Sequence, residues 1–207
     1  MFISFLGCDG SGKSAVIAGV TERLRAQGVA VTPGHWRPQA LDGKDTAAGG
    51  HGHVTADDPH GQVARGTLAS VLKLGWLWLN WWGGWWKFLR RASKDGVVLF
   101  DRYHADLLVD PRRYRYGGPM WLARIATGLM PQPDMVVFLD AEPDVLLARK
   151  QEVGRDALVA ARRKYLLLAK SHPRFQVVDA SRPLDDVVVA VYVAVIQYKN
   201  GKRVSAK

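Results

Sequence analysis

The chain has 207 residues, 48% of them hydrophobic, and 29 Lys and Arg against 19 Asp and Glu give a formal net charge of +10. That length and apolar content suffice for one domain with its own core. With Cys8 as the only cysteine, a disulfide framework is excluded and a reducing compartment fits. The basic excess suits a polyanionic partner, either nucleic acid or a phosphorylated small molecule.

The first predicted strand, Phe2–Gly7, is a short apolar run that leads into Gly7-Cys8-Asp9-Gly10-Ser11-Gly12-Lys13-Ser14, a complete G-x-x-x-x-G-K-[ST] pattern. In this pattern glycines let backbone N–H groups surround a phosphate, the Lys reaches the β/γ-oxygens and the Ser hydroxyl takes Mg²⁺. The context it needs is present: from Lys13 to Gln27 apolar residues recur at Val16, Ile17, Val20 and Leu24, and Gly28 is a stop signal. The spacing therefore predicts a nucleoside triphosphate site. No charged segment and apolar stretch precede the first strand, so a cytoplasmic protein is expected.

A second strand is predicted over Val29–His35, ending in His35-Trp36-Arg37-Pro38. Ala40–Gly66 follows, rich in Gly, His, Asp and Pro and without periodicity, which predicts a mobile loop. Its His51, His53, Asp57, Asp58 and His60 match no metal-ligand spacing. From Val71 to Leu89 the chain is nearly all apolar, and the helix expected over 71–93 carries Trp76, Trp78, Trp81, Trp82, Trp85 and Trp86. Lys73, Asn80 and Lys87 fall at intervals of seven, one narrow polar stripe on a helix otherwise apolar all round. A membrane crossing here would put the second and third strands on opposite sides of a bilayer, so a span is rejected. Gly83-Gly84 should weaken or kink the helix. Three readings of it stand together: a core helix that also joins two copies, an interfacial helix with Lys87, Arg90 and Arg91 at its flank, and a pocket wall for an acceptor.

The third strand, Val97–Asp101, ends in Asp101-Arg102-Tyr103. A carboxylate at a strand end beside the phosphate loop suits Mg²⁺ or orientation of the attacking oxygen, and the adjacent arginine suits a phosphoryl oxygen. Asp140, at the end of the fourth strand Met135–Asp140, competes for the metal, and the tripeptide favours Asp101. Between them, Asp110-Pro111-Arg112-Arg113-Tyr114-Arg115-Tyr116 alternates Arg and Tyr. That suits an anion clamp through Arg113 and Arg115 better than a nucleic-acid strip. A fifth strand, Phe175–Ala180, completes an alternation of buried strands and helices. The expectation is an α/β fold in three layers, a five-stranded parallel sheet flanked by helices, with ligands at the carboxyl ends of the strands.

In order and spacing, the form Gly7 to Ser14, Asp101-Arg102-Tyr103, Pro133 to Pro143 and Val177-Val178-Asp179-Ala180-Ser181 resembles the thymidylate kinase family of P-loop nucleoside monophosphate kinases over nearly the full length. The resemblance implies one P-loop kinase domain over 1–198, a short lid at 150–157 and a basic tail at 199–207. It implies ATP and Mg²⁺ as cofactors, a small anionic acceptor and a homodimer. Gly7, Asp9, Gly10, Ser11, Gly12, Lys13, Ser14 and Ala15 would hold ATP, with Arg149 stacked on adenine. Ser14 and Asp101 would hold the metal. Lys13, Asp101, Arg102 and Arg155, the last in the lid, would be catalytic, and Asp9, Arg37, Arg102, Tyr103, Arg113 and Arg115 would face the acceptor. The sequence departs from the pattern in the helix before Asp101, where Asn80 stands near the position of the family's thymine-reading arginine. The expected reaction is phosphoryl transfer from ATP to a nucleoside monophosphate. A phosphorylated sugar or other non-nucleotide metabolite near a membrane is the second reading, and an ATP-binding interaction module is the third.

Overall fold

The computed structural model describes residues 1–35, 66–86, 90–151 and 153–201. Five strands form one parallel sheet: β1 (Phe2–Leu6), β2 (Val31–His35), β3 (Val97–Asp101), β4 (Met135–Asp140) and β5 (Phe175–Asp179), in the order β2-β3-β1-β4-β5. The strands are those expected from sequence, with ends within two residues. All five residues of β1 are buried, and β3 and β4 are buried up to their terminal aspartates. Strands covered on both faces read as continuous apolar runs, which is why they were visible. Each fully buried Phe, Ile or Leu side chain adds up to about 1.5–3 kcal/mol.

The register carries these strands to a common end. Phe5 lies opposite Asp101 on one side, and Leu6 lies opposite Phe138 on the other. The residues after Leu6 therefore leave the sheet between the ends of β3 and β4. The ring of Phe2 meets Phe100 and Tyr103 edge-on, at 5.6 and 5.1 Å between centroids.

The described residues fall into two compact units. The first comprises the sheet with α1 (Lys13–Ala26), α3 (Arg90–Asp95), α6 (Pro143–Arg149), α7 (Arg155–Ser171) and α8 (Leu184–Lys199). In it α1 packs on α8, and α7 packs on β4 and β5, with Tyr165 stacked on Phe138 at 4.9 Å. The second comprises α2 (Thr67–Gly84), α4 (Ala105–Val109) and α5 (Met120–Gly128), with α2 and α4 each packed against α5.

The tryptophan-rich helix differs from expectation at both ends. α2 begins at Thr67 and its regular α-geometry stops at Gly84, with Trp85 and Trp86 in a wider turn. The Gly83-Gly84 pair accounts for the stop, since glycine costs a helix interior about 1 kcal/mol each. Of the polar stripe, Asn80 is buried, as are Leu74 and Trp81, and Lys87 lies outside the described residues.

Gly34 of β2 tests the packing. A Cβ there would lie 1.9 Å from Cε2 of Phe100, whose ring is buried against Phe2 and Tyr103. Gly34→Ala is expected to lower stability by ~1–3 kcal/mol through overpacking, read as a lower urea midpoint with an unchanged slope. An unchanged midpoint would contradict this account of the β2–β3 seam.

Candidate functional site

The loop after β1 closes on itself before α1 starts. Gly10 and Gly12 have φ of 83° and 80°, and Gly12 caps α1 in the left-handed region. At Gly10 a Cβ would also sit 2.8 Å from the carbonyl oxygen of Leu146 in α6, so both conformation and space demand glycine. The N–H of Ser11 donates to Cys8 O at 3.2 Å. The Lys13 ammonium lies over the loop and donates to Gly7 O at 2.9 Å and Cys8 O at 3.0 Å. No acidic residue occupies the first turn of α1, and Arg23 and Arg25 sit in its last turn, so its N-terminus keeps an uncompensated positive end. Ser14 and Ala15 are exposed on that first turn.

The end of β3 is tied to the same loop. The N–H of Arg102 donates to Phe5 O at 2.9 Å, and Arg102 itself has φ of 65°, a conformation rare for a side chain of its size. Its Nη2 donates to Oδ1 of Asp9 at 2.6 Å, with the two side chains 13% and 16% exposed. Two residues expected to face an acceptor thus hold each other across the loop. Next to them, Oδ1 of Asp101 is buried and accepts no hydrogen bond among the described residues. A lone carboxylate oxygen and a serine hydroxyl are the hard donors Mg²⁺ takes, so the residues fit that ion.

Asp140 is committed elsewhere. Arg162 of α7 grips it with two bonds, Nε to Oδ1 at 2.7 Å and Nη2 to Oδ2 at 3.0 Å, and reaches Glu142 through Nη1 at 2.7 Å. The Asp140 hydrogen bond, against some desolvation, raises the Arg162 pKa above its ordinary value. This fork favours Asp101 over Asp140 as the metal carboxylate. Sequence reasoning missed Arg162; the bond joins a strand end to the middle of a helix, and no local spacing announces it.

Tyr103 is 1% exposed, with its ring against Phe2 and Phe100, and burial raises its phenol pKa. Its ring packs in the core of the first unit, against Phe2 and Phe100. Arg149 donates through Nη1 to Ala180 O at 2.8 Å, at the loop after β5. Arg155 opens α7 and donates to both oxygens of Asp144, at 2.9 and 3.3 Å. That hydrogen bond and the neighbouring charge hold the Asp144 carboxyl below its usual range. Its stabilising effect is present above the ordinary carboxylate pKa and fades as pH falls through the lowered one. Arg155 and Arg162 also line a groove of about 430 Å³ between α6 and α7, to which no residue of the phosphate loop contributes.

In the second unit, residues 110–116 form a tight turn. Oδ1 of Asp110 accepts the N–H of Arg113 at 3.2 Å, the Tyr114 hydroxyl donates to buried Asp106 at 2.6 Å, and Arg115 has φ of 52°. Arg113 and Arg115 are half-buried there. Arg37, the His51–His60 group and most of the 40–66 segment lie outside the described residues. Among the described residues no cluster of three or more His, Cys, Asp and Glu side chains could hold a metal ion.

The Arg162 fork gives a stability test. Arg162→Met leaves the mostly covered Asp140 carboxylate without its guanidinium, and a loss of ~1–3 kcal/mol is expected in urea unfolding. Arg162→Lys, which keeps the charge without the fork, should recover only part of it. No loss in the Met variant would mean that solvent screens the pair.

No model of a known protein family matches the chain. Curated relatives do match along most of its length. The thymidylate kinase of Nitratidesulfovibrio vulgaris (strain DP4) is 30% identical over 222 residues, covering 91% of this chain and 88% of the relative. That of Magnetococcus marinus is 27% identical over 225 residues, covering 92% and 93%. That of Desulfovibrio desulfuricans is 29% identical over 219 residues, covering 96% of each. With the parallel sheet, the glycine turns and Lys13 over the loop, these likenesses show that the chain belongs to the thymidylate kinase family of P-loop phosphotransferases.

Proposed function

We propose that the protein transfers the γ-phosphoryl group of ATP, with Mg²⁺, to a nucleoside monophosphate. The observation that carries this reading is the contact of Asp9 with Arg102 at 2.6 Å, beside Lys13 and the unbonded oxygen of Asp101. The loop after β1 and the end of β3 thereby bring together a phosphate cradle, a carboxylate that suits a metal and a guanidinium that suits an acceptor phosphate.

Such transfer depends on positioning and charge neutralisation rather than on a covalent protein intermediate. The backbone of Gly7 to Ala15 holds the donor phosphates. Lys13 leaves the carbonyls of Gly7 and Cys8 and neutralises the β/γ-oxygens. Bound Mg²⁺ supplies charge to the donor phosphates, and Ser14 and Asp101 would hold it. Arg102 turns from Asp9 to the acceptor phosphate, and Asp9 is then released to accept from an acceptor hydroxyl. Arg149, held in its plane by the carbonyls at 180 and 181, offers a flat face to adenine. Arg155 closes on the transferring group.

A second reading, a phosphorylated sugar or other non-nucleotide acceptor, is favoured by one observation. Asn80, near the position of the family's base-reading arginine, donates its amide to Trp76 O of its own helix at 2.9 Å. One of its two amide hydrogens is thus spent on backbone, and the short, buried side chain lacks the charge and the fork of an arginine.

The test is a screen with γ-labelled ATP and Mg²⁺ against dTMP, other nucleoside monophosphates and phosphorylated sugars. Label is expected on a monophosphate, and Lys13→Ala should cut the rate at least ~100-fold by removing one preorganised cation. Label only on a sugar would shift the account to the second reading. Transfer unaffected by Lys13→Ala would overturn both.

A further inference from the structure

α7 carries two seams. Leu158 and Tyr165, seven residues apart, are its buried positions, and Tyr165 stacks on Phe138 of the sheet. Next to them, Val159, Arg163, Leu166 and Lys170 fall at i, i+4, i+7 and i+11. They share a second face about 16 Å long at 1.5 Å per residue. That face is one wall of the groove of about 430 Å³, and Pro143 at the head of α6 belongs to the other. Val159 is 43% exposed there, and Leu167, which also lines the groove, is 56% exposed. Apolar side chains recurring every seven residues, with charges at the same interval beside them, are the pattern by which one helix receives another. Among the described residues, only α7 and the head of α6 line this groove, so the outer seam meets no third helix.

The charges along the groove say what docks. Arg155 and Arg162 are engaged with Asp144 and Asp140, and Glu142, the one acidic residue lining the groove, is paired with Arg162. Asp156, in the first turn of α7, sits beside Arg155 and does not line it. Arg163 and Lys170 are exposed, and neither forms an ion pair among the described residues. They leave the helix about 10 Å apart, two turns on, rather than converging on one phosphate. No aromatic side chain lines the groove to stack a base. An occupant with acids at the same interval and apolar side chains between them meets both features. Residues 40–66 have no such repeat and 202–207 no acidic residue, which leaves the groove to another chain. We infer that it receives an acidic amphipathic helix of a partner protein, with apolar side chains on Val159 and Leu166 and carboxylates on Arg163 and Lys170. This inference stands apart from the identity of the acceptor.

The experiment is an anisotropy titration of the purified full chain against a fluorescein-labelled synthetic helix of Leu and Glu heptads. A peptide of the same composition in scrambled order runs beside it. The heptad peptide is expected to bind with a micromolar Kd, and the scrambled one at least about tenfold more weakly. Arg163→Gln/Lys170→Gln should weaken binding of the heptad peptide about tenfold, and Val159→Ser/Leu167→Ser by a similar factor. All four side chains are exposed, and circular dichroism with a melting curve verifies each fold; if the apolar pair misfolds, the cation pair decides. Equal binding of the scrambled peptide, or binding unchanged in either folded variant, would overturn the proposal, because general basic charge or another apolar face would then be responsible. No binding of the heptad peptide would overturn it as well. So would a wild-type dimer dissociated by Val159→Ser/Leu167→Ser, because the groove would then belong to a second copy.

Discussion

Everything chemical in the first unit hangs on β1 being held between β3 and β4. Parallel pairing on both sides fixes Phe5 against Asp101 and Leu6 against Phe138, and the N–H of Arg102 extends the ladder to Phe5 O. A slip of one residue would turn every apolar side chain of β1 to the opposite face. Such a slip would also carry Asp9 away from Arg102 and separate Lys13 from the end of β3. Apolar packing sets the register, and the register sets the electrostatics. The charged groups add little to holding the sheet, yet they depend on it for their geometry.

The ion pair at the centre has a cost of its own. Asp9 and Arg102 are mostly covered, and such a pair recovers its desolvation only through close, well-aligned bonds. Arg102 also keeps a left-handed backbone, another strained choice. Both features suit a site that exchanges one anionic partner for another. Under the proposed function, the pair would keep the guanidinium oriented until a phosphate took the carboxylate's place. The fork on Asp140 is of a different kind: Arg162 grips both oxygens and reaches Glu142 as well, tying α7 to the sheet.

Much of this was legible in the residues. Strands such as Met135–Asp140 are buried on both faces and announce themselves as unbroken apolar runs. The phosphate loop is legible because its glycines serve backbone angles that other residues avoid. The orientation of α2 was not legible. A helix apolar nearly all round has no hydrophobic side to point inward, so its direction is set by partners distant in sequence, such as the N–H of Gly117 on Ser70. The burial of Tyr103 was hidden for a related reason: its motif suggests chemistry, while the rings of Phe2 and Phe100 claim it for the core. Arg162 escaped because helix spacing says nothing about a strand end.

The central claim is that the phosphate loop binds ATP with Mg²⁺ through Lys13 and Asp101. Calorimetric titration of ATP, with and without Mg²⁺, into the wild type and into Lys13→Ala and Asp101→Asn tests it directly. The expected result is binding to the wild type that weakens at least ~10-fold in Lys13→Ala, where a charge-assisted contact is lost. In Asp101→Asn, binding should lose its dependence on Mg²⁺. Wild-type binding that ignores both substitutions, or no ATP binding at all, would contradict the account.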